Sequence, residues 1–416
     1  MEKEKHSGLG FISGLLTGVA ATSLIVVVGY AIGQTVAGSE QQTSGSQYQN
    51  VVDVELDAHS FINQEFLQKI ATLEAQIKAN YYLDEVTNEQ LREGAYKGVV
   101  DSLDDIYSVY YTAEEAEEIF NQSEGIYYGI GAYCQMDSIT GYVKVTGTIK
   151  GTPAEEAGLL AGDILYMVDG EDMGGLTIDQ VVLRIKGEEG TKVHLTLVRD
   201  NEYVEVDVER RKIESPTVEY SMLEDGMGYV QLTEFDDVTV EQFDKALKGL
   251  KAEKAQGMIL DLRGNPGGNL STVLEIADML LDKGMILYIE DKNGNRDEYY
   301  AENGMSWDLP VVLLVDGNSA SASEVLSGAL KDHGRATLVG TTTFGKGIVQ
   351  NLRTLKDGSA LKLTISAYYT PKGTTVHGEG IEPDVVVAFD AETYYGEQQI
   401  DNQLEKAKEV LAEILK

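Results

Sequence analysis

Residues 317–324 read Gly-Asn-Ser-Ala-Ser-Ala-Ser-Glu and follow the apolar run Val-Val-Leu-Leu-Val at 311–315. A buried strand that ends in small residues and opens a helix is a place where a hydrolase exposes a nucleophilic serine. Lys346 lies further along the chain inside Gly-Lys-Gly, where the glycines allow the backbone to approach closely. These two segments predict a serine nucleophile, with Ser321 at the centre of the run, and a lysine that is a candidate for its base.

Each of these residues also has a purely structural explanation. Ser321-Ala-Ser-Glu324 fits a capping box, in which a serine and a later glutamate satisfy the first helix N–H groups. A capping serine can still present its hydroxyl where those N–H groups favour an oxyanion, and Ser319 and Ser323 are alternative nucleophiles. An isolated lysine is usually solvated. Lys346 can act as a base only if burial lowers its pKa from about 10.4 toward ~7–8.

The composition excludes several classes of protein. The 416 residues include 33 Lys and Arg against 69 Asp and Glu, which gives a formal net charge of −36. Nucleic acids need basic surfaces, so we expect no nucleic-acid partner, whereas cationic or apolar peptides are suitable partners. The single cysteine, Cys134, forms neither a disulfide framework nor a thiolate metal site. We expect no metal and no other cofactor.

Residues 9–33 contain no charged side chain and are rich in Leu, Ile, Val, Gly and Ala. As a helix they would span roughly 37 Å, enough to cross a hydrocarbon core of about 30 Å. Lys3 and Lys5 precede this segment, and no Lys or Arg follows until Lys69. This asymmetry predicts a cytoplasmic N-terminus and an extracytoplasmic remainder. The alternative is a cleaved signal peptide, although Thr-Val-Ala at 35–37 is a poor cleavage site.

In the rest of the chain the pattern of apolar residues changes twice. Residues 61–79 and 91–103 repeat apolar side chains at helical spacing and predict a helical arm, which either caps the next domain or mediates dimerisation. Short β-rich runs separated by glycines then fill residues 125–211, around one helix at 178–185. From residue 218, strands alternate with helices, which indicates an α/β domain. The predicted strands lie at 142–149, 164–168, 193–198, 204–208, 227–232, 258–263, 311–315, 337–339 and 360–367, and the further helices at 240–253, 271–281, 323–331 and 402–416.

Three blocks, in this order, resemble the C-terminal processing peptidases, the tail-specific serine proteases of peptidase family S41. They are Asp-Leu-Arg-Gly-Asn-Pro-Gly-Gly at 261–268, Ser-Ala-Ser-Ala-Ser-Glu at 319–324 and Gly-Lys-Gly-Ile-Val-Gln at 345–350. The resemblance implies an α/β spiral core related to crotonase and ClpP, with an inserted PDZ domain and an N-terminal helical arm. The implied regions are a cytoplasmic tail (1–8), a transmembrane helix (9–33), a linker (34–58), an N-terminal helical region (59–124), a PDZ domain (125–211), a serine peptidase core (212–395) and a C-terminal helix (396–416).

The resemblance also implies roles for single residues. Ser321 and Lys346 match the family's Ser-Lys dyad, and Gln350 matches its third member, which would orient the lysine amine. Backbone N–H groups of Ala322 and of a glycine in the 261–268 block would form the oxyanion hole. Gly267 and Gly268 are both candidates for that glycine. The alternative reading of this block is an ordinary strand-to-helix turn.

Residues 127–132, Tyr-Tyr-Gly-Ile-Gly-Ala, resemble the loop of PDZ domains in which backbone N–H groups hold the C-terminal carboxylate of a peptide. The alternative is a small β domain with glycine turns. The predicted peptide-binding residues are Tyr128, Gly129, Ile130, Gly131, Val181, Val182, Ile185 and Lys186. Their apolar side chains predict a preference for a small or apolar C-terminal residue. Lys186 departs from the arginine that the family often has there, and a lysine cannot reproduce a bidentate contact, so the sequence does not predict gating through this residue.

Two other enzyme classes fit the sequence poorly. Gly-Thr-Thr-Thr-Phe-Gly-Lys at 340–346 matches a P-loop through its lysine, but Gly347 replaces the Ser or Thr that binds magnesium. A Ser-His-Asp hydrolase would have to use His333 or His377, and the sequence contains no Gly-x-Ser-x-Gly elbow there. His377 is either part of the substrate path or an ordinary exposed loop residue.

The sequence therefore predicts a membrane-anchored serine endopeptidase that cleaves proteins near their C-termini. Its predicted location is the cell membrane, as a single-pass protein with an extracytoplasmic catalytic domain. The PDZ domain would bind the apolar tail of a protein or peptide substrate, and a homodimer through the helical arms is a further hypothesis. The alternative is a non-catalytic PDZ adaptor on an inactive peptidase core.

Overall fold

The computed structural model describes residues 60–416, apart from residues 138, 303 and 397–398. The predicted cytoplasmic tail, transmembrane helix and linker, residues 1–58, lie outside this part of the chain. Among the helices that are described, none combines the length and the apolar character needed to cross a bilayer.

Seven of the ten helices in the described residues correspond to predicted ones, and those at 113–124, 153–156 and 391–395 were not predicted. The ten are α1 (Gln64–Asn80), α2 (Asn88–Asp101), α3 (Ala113–Glu124), α4 (Pro153–Glu156), α5 (Ile178–Ile185), α6 (Thr239–Ala252), α7 (Leu270–Leu280), α8 (Ala322–Asp332), α9 (Ala391–Tyr395) and α10 (Asn402–Ile414). The arm helices α1 and α2 begin at side-chain caps, Asn63 and Thr87, which satisfy N–H groups of the first turn. Neither of these two helices contains a buried residue.

The main sheet of the α/β core has the strand order β10-β11-β12-β15-β16-β19, and all neighbours are parallel except β10 and β11. These strands are β10 (Val218–Met222), β11 (Met227–Leu232), β12 (Gly257–Asp261), β15 (Val311–Val315), β16 (Ala336–Gly340) and β19 (Val385–Val386). Every residue of β12 and β15 is buried, as continuous apolar runs predict for inner strands of a parallel sheet. Helices α6, α7 and α8 pack on one face, and α10 packs on the other against Ile259 and Val312.

A second, antiparallel sheet completes the core, and the sequence analysis predicted only one of its strands. It contains β1 (Val109–Tyr111), β13 (Gly284–Asp291), β14 (Arg296–Ala301), β17 (Ile348–Thr354) and β18 (Ala360–Tyr369). The α/β prediction was therefore incomplete, and the core is mixed α/β. This sheet matters for the site because Lys346 directly precedes β17 and Gln350 lies on it.

The β-rich region forms a separate antiparallel sheet around the predicted helix α5. Its strands are β3 (Ala132–Met136), β4 (Val143–Thr148), β5 (Ile164–Val168), β6 (Glu171–Asp172), β7 (Lys192–Arg199) and β8 (Glu202–Glu209). Alternate residues of β4 and β7 point into an apolar core that also includes Val181 and Ile185 of α5. A two-stranded ribbon of β2 (Ile126–Gly129) and β9 (Arg211–Glu214) carries the chain into and out of this region.

Candidate active site

The three serines after β15 differ in what their hydroxyl groups do. Ser319 Oγ donates a hydrogen bond to the Leu262 carbonyl at 2.9 Å. Ser323 Oγ donates to the Asn265 carbonyl, also at 2.9 Å. Ser321 Oγ is buried and has no hydrogen-bond partner within the described residues. Of the three candidates, only the Ser321 hydroxyl is therefore uncommitted, which is what a nucleophile requires.

Ser321 stands at the start of α8 in an unusual backbone conformation. Its φ is 59° and its ψ is −113°, outside the regions that L-residues normally adopt. Such a conformation costs on the order of 1–3 kcal/mol and persists only where the surroundings enforce it. Here the Tyr368 hydroxyl lies 3.1 Å from the Ser321 carbonyl oxygen and 2.8 Å from that of Lys346. One buried phenol thus holds the backbone of both dyad candidates.

The Glu324 carboxylate joins the same two segments from the other side. Its Oε2 accepts hydrogen bonds from the N–H groups of Ser321 and Lys346, each at 2.8 Å. Its Oε1 accepts from the Thr343 hydroxyl at 2.6 Å and from the Gly345 N–H at 2.7 Å. Glu324 is fully buried. The residue that the sequence predicted as a helix cap therefore also positions the loop that carries the lysine.

Lys346 is buried, with 3% of its surface exposed. The pKa of its amine is lowered from 10.5 to about 8, mainly by loss of solvation and also by the charge of Lys362, while Glu324 and Asp105 act in the opposite direction. The aromatic ring of Tyr107 lies 4.5 Å from Lys346 Nζ. Gly347 allows the loop to pass close to His377, because a Cβ at residue 347 would lie 2.3 Å from the His377 nitrogen. The lysine is thus enclosed and partly neutral near physiological pH.

Gln350 lies on β17, next to a register shift between Val349 and Gln350 in the pairing with β18. It is 1% exposed, and its Nε2 donates a hydrogen bond to Thr364 Oγ1 at 3.2 Å. This contact fixes the plane of the amide. Contact between Gln350 and the Lys346 amine remains a prediction.

The two candidate glycines of the oxyanion hole differ in whether their N–H groups already donate a hydrogen bond. The Gly267 N–H donates to Asn265 Oδ1 at 2.8 Å. The N–H groups of Gly268 and Ala322 make no hydrogen bond to a described residue. Gly268 has a φ of 148°, and a Cβ there would lie 2.4 Å from the Phe235 carbonyl oxygen. Gly268 and Ala322 therefore have available donors beside Ser321.

Arg263 anchors the strand end from which this glycine loop begins. Its guanidinium contacts the carboxylate of Asp261 at 2.7 Å and that of Asp401, the N-cap of α10, at 2.8 Å. It also lies 3.1 Å from Gln403 Oε1. The C-terminal helix is thus tied by charge to the block at 261–268.

An apolar pocket opens beside Ser321. The residues that line it come from the glycine loop, α7, α8 and the second sheet; they are Gly268, Leu270, Val273, Leu287, Ser321, Ala322, Val325, Val349 and Tyr368. This lining is almost entirely apolar, and the enclosed space is small.

Of the two histidine candidates, His333 lies away from Ser321, whereas the backbone of His377 lies against Gly347, beside the candidate base. His333 Nε2 is 2.7 Å from the Met285 carbonyl oxygen. His333 follows the last turn of α8, which begins directly after Ser321, so about 17 Å of helix separates the two residues. His377 is exposed on a loop. The P-loop alternative also fails, because strand β17 follows Lys346 where a P-loop requires a helix.

The predicted peptide-binding residues fall into two groups in the structure. Ile130, Val181 and Ile185 are buried in the core of the β-rich region. The loop glycines Gly129 and Gly131 are also buried. Tyr128, Val182 and Lys186 are at least partly accessible. Lys186 Nζ lies 5.9 Å from the Tyr127 ring. The loop prediction is consistent with a positive φ of 80° at Gly131. The groove edge between β3 and α5 therefore has an apolar floor with accessible side chains at its rim.

Sequence reasoning missed several residues that contact the site. Tyr107, whose ring lies against Lys346 Nζ, comes from a part of the chain that carries no motif, as does Lys362, whose charge lowers the pKa of Lys346. Arg210 was also missed: its Nε donates to the Ile185 carbonyl at 2.7 Å and caps the C-terminal end of α5. Arg210 lies in the basic run Arg-Arg-Lys at 210–212, just after a predicted strand, and no local pattern distinguishes it from its neighbours.

Comparisons with known proteins identify the family of this chain. Residues 226–387 match the family model for peptidase family S41, residues 144–199 match a PDZ domain, and residues 24–115 match the N-terminal domain of the activating protease CtpB. The carboxy-terminal processing protease CtpA of Bacillus subtilis (strain 168) is 36% identical over 312 residues, which cover 74% of this chain. The aligned part spans 66% of the length of that relative, slightly less than two thirds.

A relative from another genus is matched over more of its length. The “Probable CtpA-like serine protease” of Staphylococcus aureus (strain COL) is 34% identical over 382 residues, which cover 91% of this chain and 72% of that protein. Among solved structures, a candidate S41 protease from Bacteroides fragilis NCTC 9343 superposes with a TM-score of 0.51 at 18% identity, covering 80% of this chain and 92% of that one. That structural likeness concerns the fold alone.

Proposed function

Because this chain belongs to peptidase family S41, the C-terminal processing peptidases with a PDZ domain, we propose that it is a serine endopeptidase with Ser321 as nucleophile and Lys346 as general base. The proposal rests on two buried groups. They are the Ser321 hydroxyl, which has no hydrogen-bond partner among the described residues, and the Lys346 amine. Their backbones are held by one carboxylate, that of Glu324. No neighbouring serine offers a free hydroxyl.

In the proposed reaction, the neutral Lys346 amine takes the proton of Ser321 Oγ as that oxygen attacks the carbonyl carbon of the peptide bond. Negative charge develops on the carbonyl oxygen, and the N–H groups of Gly268 and Ala322 are the donors that we assign to it. The protonated lysine then gives its proton to the leaving amine. Attack by water, with the lysine again as base, releases the acyl group from Ser321.

The pKa of Lys346 makes this chemistry feasible near neutral pH. With a pKa of about 8, roughly 10% of the amine is neutral at pH 7, compared with roughly 0.03% at a pKa of 10.5. Burial therefore increases the population of the base by about 300-fold. Gln350, which is fixed by Thr364, would orient the lone pair of that amine.

We propose that substrates are proteins with apolar C-terminal tails. The PDZ groove would hold the terminal carboxylate on backbone N–H groups while the tail adds a strand beside β3. The apolar pocket beside Ser321 would then receive a small side chain next to the cleaved bond. Recruitment and hydrolysis are thus separate steps at separate sites.

The proposed setting is the outer face of the cell membrane, with residues 9–33 as an uncleaved anchor and the N-terminus in the cytoplasm. The uncharged stretch at 9–33 and the lysines before it support this proposal. Detection of the intact N-terminus in the membrane fraction tests it, and a secreted form that begins near residue 38 would refute it.

We also propose that the core is related to crotonase and ClpP and that the arms form a homodimer. Repeated strand-helix units beside a second sheet support the first proposal, and a superposition on crotonase and ClpP structures that failed to align those units would refute it. For the second, α1 and α2 bury no residue and leave Leu67 and Leu73 about half exposed. Light scattering tests the dimer, and a monomer would end that proposal.

The experiment that tests the function uses the full-length protein in detergent and a peptide with an apolar C-terminus. We expect cleavage by the wild type and a loss of at least about 10³-fold in Ser321→Ala and in Lys346→Ala, because dyad members act as a unit. Tail binding and thermal unfolding should be retained in both variants. Activity that survives in Ser321→Ala would refute the nucleophile, and a wild type that binds the tail without cleaving it would favour the PDZ adaptor.

A further inference from the structure

The glycine loop that carries Gly268 touches two other segments of the core. A Cβ at Gly267 would lie 2.9 Å from Ser321 Cβ, so the loop passes directly against the proposed nucleophile. The loop also pairs with the segment after β11. The Phe235 N–H donates to the Gly267 carbonyl at 2.9 Å, and the Asn269 N–H donates to the Phe235 carbonyl at 2.6 Å.

These two hydrogen bonds decide where the Gly268 N–H points. The Gly267 carbonyl and the Gly268 N–H belong to one trans peptide unit, in which the C=O and N–H bonds point in opposite directions. Because the carbonyl points at Phe235, the N–H points away from that residue and makes no hydrogen bond to a described residue. Rotation of this peptide unit would break the bond from Phe235 and withdraw the proposed oxyanion donor.

Asn269, the next residue, stands at the N-cap position of α7 but does not cap the helix. An asparagine at this position usually accepts a hydrogen bond from an N–H of the first turn, and Asn269 makes no such bond. Its Nδ2 instead donates to the Ser123 carbonyl and to Asp237 Oδ1, each at 2.8 Å. The side chain is 5% exposed. The buried amide therefore serves contacts outside its own helix.

The two acceptors of this amide belong to separate parts of the chain. Asp237 lies two residues after Phe235, in the segment that pairs with the glycine loop. The Thr272 hydroxyl, in the first turn of α7, donates to the Asp236 carbonyl of the same segment at 3.2 Å. Ser123 lies near the end of α3, just before β2. One amide group thus fastens the end of the glycine loop to the segment at 235–237 and to α3.

We propose that Asn269 is a positioning residue of the oxyanion hole, whose side-chain amide keeps the glycine loop docked on the segment at 235–237 and so keeps the Gly268 N–H directed at the oxyanion. The inference rests on the proposed function, and on Gly268 as a donor. Asn269 acts through Gly268 rather than by contact with the substrate. Without this amide, the bond between Phe235 and Gly267 has less support, and the peptide unit turns more readily.

The test compares Asn269→Asp and Asn269→Ala with the wild type, as full-length proteins acting on the apolar-tailed peptide. Aspartate keeps the size of the side chain and suits the N-cap position equally well, but its carboxylate donates no hydrogen bond. We expect kcat to fall about 10–30-fold in both variants, less than for outright loss of a donor, with KM within about twofold of the wild type. Thermal unfolding shows that each variant is folded.

Gln242→Ala is the matched control. Gln242 Nε2 donates to the Ser215 carbonyl at 2.8 Å, where the chain returns from the β-rich region, and this bond does not involve the glycine loop. Its loss should leave kcat within about threefold of the wild type. An equal fall of kcat in Gln242→Ala would overturn the inference, because general loosening near the β-rich region would then explain the result.

A second measurement isolates the oxyanion hole from turnover. The probe is a peptide aldehyde with the sequence that precedes the cleaved bond. Its carbonyl carbon bonds to Ser321 Oγ, and its oxygen takes the place of the oxyanion. Inhibition should weaken in the Asn269 variants by about the same factor as kcat, with tail binding unchanged. Unchanged kcat and unchanged inhibition in both folded variants would overturn the inference and leave the dyad intact. Activity that survives in Ser321→Ala would overturn the proposed function itself.

Discussion

Around Ser321 the polar side chains are buried and hydrogen-bonded, whereas the PDZ groove combines buried apolar side chains with an accessible rim. Glu324 and Gln350 are each at most 1% exposed and have defined partners. In the groove, Val181 belongs to the domain core and Tyr128 is 40% exposed. Hydrogen bonds fix the side chains of the first site, whereas apolar packing fixes those of the second. We therefore expect changes at the first site to alter the rate of cleavage and changes at the second to alter binding.

Among changes that leave both dyad candidates in place, Gly268→Ala is expected to have the largest effect. The added Cβ would lie 2.4 Å from the Phe235 carbonyl oxygen, so the loop must move and carry the Gly268 N–H away from the developing oxyanion. Loss of one such donor lowers kcat by about 10²–10³-fold. Tail binding, measured by fluorescence anisotropy of a labelled peptide, should not change. A kcat within about threefold of the wild type would show that Gly268 is not a donor.

Gly264→Ala is the matched control for that variant. Gly264 lies in the same loop with a φ of 71°, and a Cβ there would meet nothing within 4 Å. Alanine in this conformation costs about 1–2 kcal/mol of stability, which thermal unfolding would show, with kcat largely retained. A collapse of kcat in this control would mean that strain in the loop, rather than loss of the donor, explains the Gly268 result.

The next largest effect is a pH dependence that separates the two sites. Lys346 must be neutral to accept a proton, and its pKa is about 8. Lowering the pH from 8 to 6 reduces the neutral fraction from about one half to about 1%, so kcat/KM should fall by roughly 50-fold. Tail binding to backbone N–H groups should change little over the same range. A flat rate profile would mean that Lys346 is not the base.

The smallest of these effects is expected in the groove. Val182 is half-buried on α5, and Val182→Asp would place a negative charge in the predicted groove, where it would repel the terminal carboxylate of a tail. We expect KM for a tailed substrate to rise about tenfold, or roughly 1.4 kcal/mol, with kcat retained. Leu183→Asp is the control, because Leu183 is 64% exposed on the same helix. Equal effects of the two variants would argue against this groove as the binding site.

Much of the main sheet and the dyad segments could be predicted because their signals are local. The apolar run at 311–315 is a strand with the predicted bounds, and α5 forms at 178–185 as expected. The small-residue run and the glycine-flanked lysine lie where buried loops meet, as their composition indicated. The choice between Ser319, Ser321 and Ser323 needed hydrogen-bond partners, which a sequence does not display.

The second sheet and the neighbours of Lys346 depend on pairing between distant segments. Asn293-Gly294 was an available hairpin signal between β13 and β14 that the sequence analysis did not use. Tyr107 and Lys362 carry no such signal. Their two segments come together only because β1 pairs with β18, with Val109 opposite Lys362. Exposed residues along β14 also hide its strand character from a search for apolar runs.

The contact of Arg263 with Asp401 has a consequence for the order of events during synthesis. Arg263 obtains its second carboxylate only when the chain has been made through residue 401, and β1 obtains its partner only when β18 has been made. Such distant pairings delay folding relative to local ones. The loop at 261–268 therefore reaches its final form only after residue 401 has left the ribosome, so a nascent chain carries the proposed nucleophile before the proposed site is complete.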